Sequence, residues 1–123
     1  MAKILLVDLG GTNIDIYEYL PIKRLCNLVK KINTKSIDVN KWISSLGKEV
    51  YNQNYFQVIL GIPGEVKPGD LEVYCPPLGI AINVKSAKAN GIKIVNDMFI
   101  QPFLIGNNNS GSTSDKIILN SGT

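Results

Sequence analysis

The chain has 123 residues, of which 45% are hydrophobic and 19% are charged, and its 13 basic and 10 acidic side chains give a net charge of +3. This composition is typical of one globular domain and excludes a chain that is disordered throughout. The basic residues are scattered and no segment is long and apolar enough to span a bilayer, so we expect neither a nucleic-acid nor a membrane partner.

The first elements in chain order are predicted strands. An apolar run at 3–9 predicts a buried strand that ends at a Gly-Gly turn. The run is too short for an export signal and Asp8 interrupts it, so we expect a cytoplasmic protein. Residues 13–19 alternate and predict the return strand of a hairpin, whereas 23–33 fit a third strand or a short helix, of which the strand suits the pattern better. The alternation divides the second strand between two faces, with Ile14 and Ile16 on one and Asp15, Tyr17 and Tyr19 on the other.

The rest of the chain alternates helices and strands. Ser36 or Asp38 is a candidate cap for a helix that runs to about Gln53, although Gly47 inside it weakens that prediction. The remaining predicted elements are a strand at 56–62, an extended piece at 71–74, a helix at 83–89, a strand at 92–95, a helical stretch at 98–105 with Pro102 in its first turns, a polar loop at 106–114 and a strand at 116–119. We therefore expect one α/β domain with an antiparallel hairpin at its front.

The first candidate site is the motif Asp-Leu-Gly-Gly-Thr-Asn at 8–13, directly after a buried strand. Gly10 and Gly11 would let backbone N–H groups approach an anion closely, and Thr12 adds a hydroxyl donor. Asp8 could hold a divalent metal ion or its water shell beside that anion. The motif differs from a Walker loop and from a dinucleotide fingerprint, because a strand follows it and its glycines are spaced differently. The alternative is a plain hairpin turn without a ligand.

The second candidate site is the pair Asn96-Asp97, also after an apolar strand. Ligands of open α/β sheets bind at the carboxyl ends of strands, so Asp8 and Asp97 are expected to face one cleft. The sequence has no histidine, so acid–base chemistry would have to use a carboxylate such as Asp97. The alternative for Asp97 is an ordinary helix N-cap. Cys26 and Cys75 lack metal-binding spacing and are expected to be reduced and structural.

Two weaker motifs accompany these. A strand runs into a rigid Pro-Gly turn at 60–66, and taken alone it is an ordinary β-turn. The motif Asn-Ser-Gly-Thr at 120–123 could form a second anion-binding turn around Gly122 and Thr123, or it could be a frayed terminus.

Taken in order, the four motifs resemble the N-terminal lobe of the glucokinases and related repressor-type (ROK) sugar kinases, in the actin–hexokinase–chaperone ATPase superfamily. That lobe has an Asp-x-Gly-Gly-Thr turn, a Gly-Ile-x-Gly-x-Val segment, a strand ending in Asn-Asp and a Gly-Thr-Gly turn, which this sequence matches at 8–12, 61–66, 96–97 and from 122. Glu65 stands where the family often has proline. The resemblance implies a ribonuclease H-like (actin-like ATPase) fold, a mixed sheet with an antiparallel front hairpin and flanking helices.

The resemblance also implies an activity, the ATP-dependent phosphorylation of a hexose, glucose at its 6-hydroxyl, with Mg²⁺. Asp97 would be the base that takes the hydroxyl proton, Asn96 would hydrogen-bond the sugar, and Asp8 would lie near the metal ion. The implied phosphate-binding residues are Gly10, Gly11, Thr12, Gly122 and Thr123.

The 123 residues contain no counterpart of the family's C-terminal lobe, which carries the adenosine site and further sugar-binding residues. They also contain no counterpart of the zinc-binding segment of many repressor-type kinases. We therefore expect a single N-terminal lobe at 1–123 that works with a complementing C-terminal lobe or as a homo-oligomer. The alternative function is a non-catalytic scaffold, regulator or dimerisation module. Another superfamily member, such as an acetate kinase or a chaperone-like ATPase, fits the Asn-Asp pair less well.

Overall fold

A computed structural model describes residues 2–107, with the side chains of all of these except 49–53 and 105–107. Its strands are β1 (Ile4–Leu9), β2 (Asn13–Leu20), β3 (Leu25–Asn33), β4 (Gln57–Ile62), β5 (Glu72–Cys75), β6 (Ile80–Asn83) and β7 (Ile92–Asn96). Its α-helices are α1 (Val39–Gln53), α2 (Val84–Ala89) and α3 (Gln101–Asn107), and two 3₁₀ helices lie at Thr34–Ser36 and Asp97–Phe99.

Five strands form one mixed sheet in the order β3-β2-β1-β4-β7. The first three strands are antiparallel neighbours, and β1, β4 and β7 run parallel. A separate antiparallel hairpin is formed by β5 and β6. The predicted α/β class and the antiparallel front hairpin are therefore confirmed. Since parallel strands end at the same edge, the segments after β1, β4 and β7 meet there.

Helices α1 and α2 and the β5-β6 hairpin cover one face of the sheet. Their apolar side chains join those of β1, β2, β4 and β7 in one buried core. The opposite face carries the second 3₁₀ helix and α3, where the ring of Phe103 packs edge-on against Tyr19 at 5.3 Å between centroids. As predicted, Ile14 and Ile16 enter the core, while Tyr19, on the other face of β2, contacts α3. Asp8 alternates with the core residues Val7 and Leu9 and so belongs to this second face, where the backbone of Asp97 packs over Gly61.

Most of the predicted elements are confirmed within a residue or two. The predicted third strand forms instead of a helix, although it begins at Leu25, and α1 begins after Asp38, whose carboxylate accepts from the N–H of Lys41 at 3.3 Å. Gly47 has a packing reason to lie within α1, because a Cβ there would lie 2.9 Å from the carbonyl oxygen of Asn90. No helix in residues 2–107 is long and apolar enough to cross a membrane.

Two differences from the predicted pattern appear. Strand β6 was not predicted, and α3 continues through Gly106 and Asn107, where a polar loop was expected to begin. A four-residue strand leaves little periodicity to detect, and only its pairing with β5 defines it. The rest of the predicted loop, the strand at 116–119 and the turn at Gly122 and Thr123 lie outside the described residues.

The two cysteines are buried, as a structural role predicts. Neither Cys26 nor Cys75 forms a disulfide within residues 2–107. Burial raises the pKa of each thiol to about 11, and for Cys75 the negative charge of Asp97 adds to the effect. Both thiols therefore stay protonated at neutral pH.

Candidate functional site

Asp8 lies in a row of residues that crosses the whole sheet near its carboxyl edge. On β1 it faces Asp15 of the antiparallel β2 and Gly61 of the parallel β4, while Gly61 in turn faces Val95 of β7. Asp15 pairs with Lys31 of β3 on the outer side. The sheet thus places two carboxylates side by side on one face, beside a glycine that leaves space above it.

The space above Gly61 is filled by the segment that carries Asp97. A Cβ on Gly61 would lie 2.8 Å from Cδ1 of Ile100 and 3.1 Å from Cα of Asp97. Ile100 is fully buried, so the second 3₁₀ helix is held against the sheet by this contact. Only glycine permits so close an approach, which brings Asp97 and Gln101 to the same face as Asp8.

The environment of Asp8 disfavours its charged form. Burial, followed by the negative charges of Asp97 and Asp15, raises the pKa of Asp8 from 3.8 to about 6, while a hydrogen bond from the Gln101 side chain acts in the opposite direction. Carboxylates whose pKa is raised by burial and by neighbouring negative charges are concentrated at functional sites. The electrostatics therefore connect Asp8 with Asp97, as the topology predicts.

Asp15 and Gln101 belong to this cluster, although neither was predicted as a site residue. Asp15 Oδ1 lies 3.7 Å from Nζ of Lys31, an ion pair that is too long for a hydrogen bond. Asp15 Oδ1 and Gln101 Oε1 are both buried without a hydrogen-bond partner in the described structure. Asp15 could have been identified from the register of the hairpin, which places it opposite Asp8. Gln101 could not, because only the tertiary fold brings it near Asp8.

Asn96, not Asp97, caps the second 3₁₀ helix. Its Oδ1 accepts from the N–H of Met98 at 3.0 Å, and its Nδ2 donates to the carbonyl oxygen of Gly64 at 2.7 Å. The N-cap interpretation thus applies one residue earlier than expected. Burial raises the pKa of Asp97, and the backbone N–H groups of Met98 and of Asp97 itself moderate the shift. A raised pKa makes a carboxylate a better proton acceptor.

The turn between β1 and β2 is shaped by both of its glycines. The N–H of Gly10 donates to the carbonyl oxygen of Asn13 at 3.0 Å, and a Cβ on Gly10 would lie 2.8 Å from that oxygen. A Cβ on Gly11 would lie 2.9 Å from the carbonyl oxygen of Pro77, in the β5-β6 connection. The Gly-Gly pair is therefore required for the turn itself, and the Gly10 N–H is engaged within it. Thr12 is exposed.

Thr34, which was also not predicted as a site residue, forms two hydrogen bonds to this turn. Its Oγ1 donates to the carbonyl oxygen of Gly10 at 2.8 Å, and its N–H donates to the carbonyl oxygen of Thr12 at 3.0 Å. Thr34 is only 5% exposed. A groove of about 550 Å³ opens here, with Gly11, Thr34 and Pro77 among its lining residues.

The carboxylates fit a metal ion only in an indirect role. Within residues 2–107, no three His, Cys, Asp or Glu side chains lie close enough to ligate one metal ion together. Asp8 could still bind the water shell of Mg²⁺ held by phosphate oxygens, because Mg²⁺ keeps several waters and commonly uses one or two carboxylates.

Comparison with known proteins finds likeness at the level of structure. No protein-family model matches the sequence, and no curated protein matches it. The structure is similar to a glucokinase from an Antarctic psychrotroph, with a TM-score of 0.58, 17% identity and 82% of this chain covered. It is also similar to a proposed sugar kinase from Cytophaga hutchinsonii, with a TM-score of 0.61, 20% identity and again 82% of this chain covered. The chain shares its fold with part of these sugar kinases.

The matched part is a minor fraction of each neighbour. The chain covers 34% of the glucokinase and 38% of the second protein. At these identities the likeness concerns the fold, which agrees with the five-stranded mixed sheet. Most of each neighbour has no counterpart in the matched residues.

Proposed function

We propose that the chain provides the phosphate-binding lobe of an ATP-dependent sugar kinase, with a ribonuclease H-like (actin-like ATPase) fold. One observation carries this proposal: Asp8 and Asp97 lie on either side of Gly61 at the carboxyl edge of the sheet, and Asp8 is followed by a Gly-Gly-Thr turn, in a fold shared with solved sugar kinases. A simple hairpin or helix cap accounts for neither the carboxylate cluster nor its burial. The substrate class is a hexose, with glucose phosphorylated at its 6-hydroxyl.

In this proposal Asp97 is the general base. It accepts the proton of the 6-hydroxyl as that oxygen bonds to the γ-phosphorus of ATP and the bond from phosphorus to the ADP oxygen breaks. Burial, which raises the pKa of Asp97, strengthens it as an acceptor. Asn96 fixes the start of the 3₁₀ helix that carries Asp97. Its second amide N–H and remaining Oδ1 lone pair are the groups that would contact the sugar.

ATP and Mg²⁺ complete the proposed site. The phosphates would take donors from Gly11 and Thr12, with Gly10 shaping the turn, and Gly122 and Thr123 would provide a second turn. Bound Mg²⁺ neutralises charge on the phosphates. Asp8 would hold the metal ion indirectly through its water shell. Phosphoryl transfer gains mainly from positioning and charge stabilisation, so this small set of groups is chemically sufficient for the protein's part.

The proposal is tested by measuring ADP release with Mg-ATP and glucose, for the chain and for Asp97→Asn. Turnover that is lost in Asp97→Asn, by at least about 100-fold as expected for a general base, would support it. Glu72→Gln is the matched control, because it neutralises an exposed carboxylate on β5 and should leave turnover unchanged. Absence of ADP release and of Mg-ATP binding by the chain would contradict the proposal.

One observation favours the second candidate, a non-catalytic module. Met98 and Phe99, directly after Asp97, are 75% and 70% exposed, an unusual position for two large apolar side chains. A second copy of the chain would cover them in a dimerisation module. Self-association without ADP release, abolished by Met98→Ser and Phe99→Ser, would favour this function over catalysis.

A further inference from the structure

We propose that Thr34 is a positioning residue for the phosphate-binding turn, an inference that rests on the proposed function. Thr34 lies outside the motifs that carry the resemblance to sugar kinases, at the start of the first 3₁₀ helix. It is nevertheless the residue that fastens the turn, since its hydroxyl and its N–H donate to the carbonyl oxygens of Gly10 and Thr12 at 2.8 and 3.0 Å. Because the two acceptors belong to Gly10 and Thr12, these hydrogen bonds fix both the position and the orientation of the peptide groups between those residues.

The burial of Thr34 makes the loss of these hydrogen bonds costly. Thr34 is 5% exposed, and among the described residues it is the only polar residue classed as buried. If its hydroxyl is removed, water therefore cannot replace the lost hydrogen bond to Gly10. The residues around it are anchored as well. Asn33 Oδ1 accepts from the N–H of Lys35 at 3.0 Å, and Asn33 pairs with Asn13 in the sheet. Thr34 therefore extends the β2-β3 pairing one step beyond the sheet and onto the turn.

The turn is held at two places. Thr34 binds its carbonyl groups, while the backbone of Pro77 lies so close to Gly11 that no side chain fits between them. Carbonyl groups fixed on one side leave the N–H groups of the same peptides directed to the other, because the peptide unit is planar. Because the turn is already ordered before an anion binds, binding does not carry the entropic cost of ordering it. Thr34 would thus act on the ligand through the turn, without touching it.

The chain offers a matched set of variants. Thr34→Val keeps the shape of the side chain and removes its hydroxyl, Thr34→Ser keeps the hydroxyl, and Ser36→Ala removes another hydroxyl of the same 3₁₀ helix. The Ser36 hydroxyl donates to the carbonyl oxygen of Asn33 at 2.7 Å and does not contact the turn. The probe is Mg-ATP, titrated by calorimetry against the chain well below the melting temperature of every variant.

The expected result is a dissociation constant for Mg-ATP that is roughly 5- to 10-fold higher in Thr34→Val, as for the loss of one buried hydrogen bond. The dissociation constant of Thr34→Ser should lie within about twofold of that of the parent, and the dissociation constant of Ser36→Ala should equal it. A merely stabilising role would lower the melting temperature of Thr34→Val without changing its affinity. If Thr34→Val does not fold, Thr34→Cys replaces it, because a thiol is a weak donor.

The outcomes separate the two proposals. A parent that binds Mg-ATP and a Thr34→Val variant of equal affinity would overturn the role of Thr34 and leave the proposed function intact. A parent with no saturable Mg-ATP binding would overturn the proposed function, and the role of Thr34 with it. Weaker binding in Thr34→Val and Ser36→Ala alike would also overturn the role, since it would reflect the 3₁₀ helix in general.

Discussion

Asp8 and Asp15 lie directly opposite each other on the antiparallel strands β1 and β2, two like charges on one face of the sheet. Such a pair is unfavourable, and nothing in the architecture of a hairpin requires it. Asp97 adds a third negative charge from the segment above Gly61, and Lys31, more than half exposed, contacts only the outer side of Asp15. The fold thus brings these carboxylates together at the carboxyl ends of the parallel strands, where burial and the neighbouring negative charges disfavour the charged form of Asp8.

Removal of the opposing charge should lower the pKa of Asp8. In Asp15→Asn, burial and Asp97 still raise this pKa, but the contribution of Asp15 is gone. Carboxyl carbon NMR shifts of Asp8, followed from pH 3 to pH 8, would measure the change against the value of about 6 in the parent. Asp70→Asn, in a loop away from the cluster, is the control and should leave the titration of Asp8 in place. An unchanged pKa in Asp15→Asn would show that the two carboxylates do not interact.

Loss of the Gln101 amide should have the opposite effect. The Gln101 side chain donates a hydrogen bond that favours the charged form of Asp8, so Gln101→Leu should raise the pKa of Asp8 above about 6. The same NMR titration measures it. Pro102→Ala, which changes the next residue of α3 and leaves the amide in place, is the control. A lower pKa in Gln101→Leu would mean that the amide oxygen, not its N–H, faces Asp8.

The raised pKa of Asp8 should also make the free energy of unfolding depend on pH. Because its folded pKa of about 6 lies above the ordinary aspartate value of 3.8, the folded state binds the proton more tightly than the unfolded state does. This contribution is fully present below pH 3.8 and is lost as the pH rises to about 6. The free energy of unfolding of Asp8→Asn relative to the parent should therefore rise over this window, by at most about 3 kcal/mol. Urea denaturation at pH 4 and pH 7 measures it, and equal differences at both pH values would contradict it.

The sequence predicts the frame of the site better than its details. The alternation in β2 and the apolar runs of β1, β4 and β7 are strong local patterns, and the rule for carboxyl ends of parallel strands then brings Asp8 and Asp97 together. Asp15 was predictable from the same hairpin, because its alternation places it on the face of Asp8. It was missed because a lone aspartate in a strand forms no recognisable motif.

The remaining residues depend on contacts between distant parts of the chain. Thr34 reaches Gly10 across 24 positions, and the β2-β3 register that brings it there shifts at an irregularity between Ile16 and Tyr17. No local pattern encodes such a shift. Gly61 appears as part of a turn motif in the sequence, but its function is to admit Ile100, a contact made only after β4 and β7 have paired.

Gly61→Ala should displace the segment that carries Asp97. Its methyl group would lie 2.8 Å from Cδ1 of Ile100, and we expect a loss of about 1–3 kcal/mol of stability, typical of overpacking. Mg-ATP turnover should fall with it, because Asp97 moves relative to Asp8. Ile100→Val removes the contacting Cδ1, so the double variant should be more stable than the sum of the two single effects. Additive effects in denaturation experiments would show that Ile100 does not limit the space above Gly61.

Asn96→Ala should destabilise the chain more than loss of an ordinary helix cap does. Asn96 caps the second 3₁₀ helix and also ties it to Gly64, whereas the side chain of Asn83 accepts only from the N–H of Ser86 at 3.0 Å as the cap of α2. Asn83→Ala is therefore the matched control and should cost about 1 kcal/mol. Asn96→Ala should cost about 2–3 kcal/mol, because the Gly64 carbonyl oxygen also loses its donor.

A third variant separates the two bonds of Asn96. Asn96→Asp keeps an acceptor for the N–H of Met98 but has no donor for Gly64, and it places a carboxylate oxygen against the carbonyl oxygen. Its stability in urea should therefore resemble that of Asn96→Ala rather than that of the parent. If Asn96→Asp is instead as stable as the parent, the cap alone holds Asp97 in place. The bond to Gly64 would then contribute nothing to the position of the proposed base.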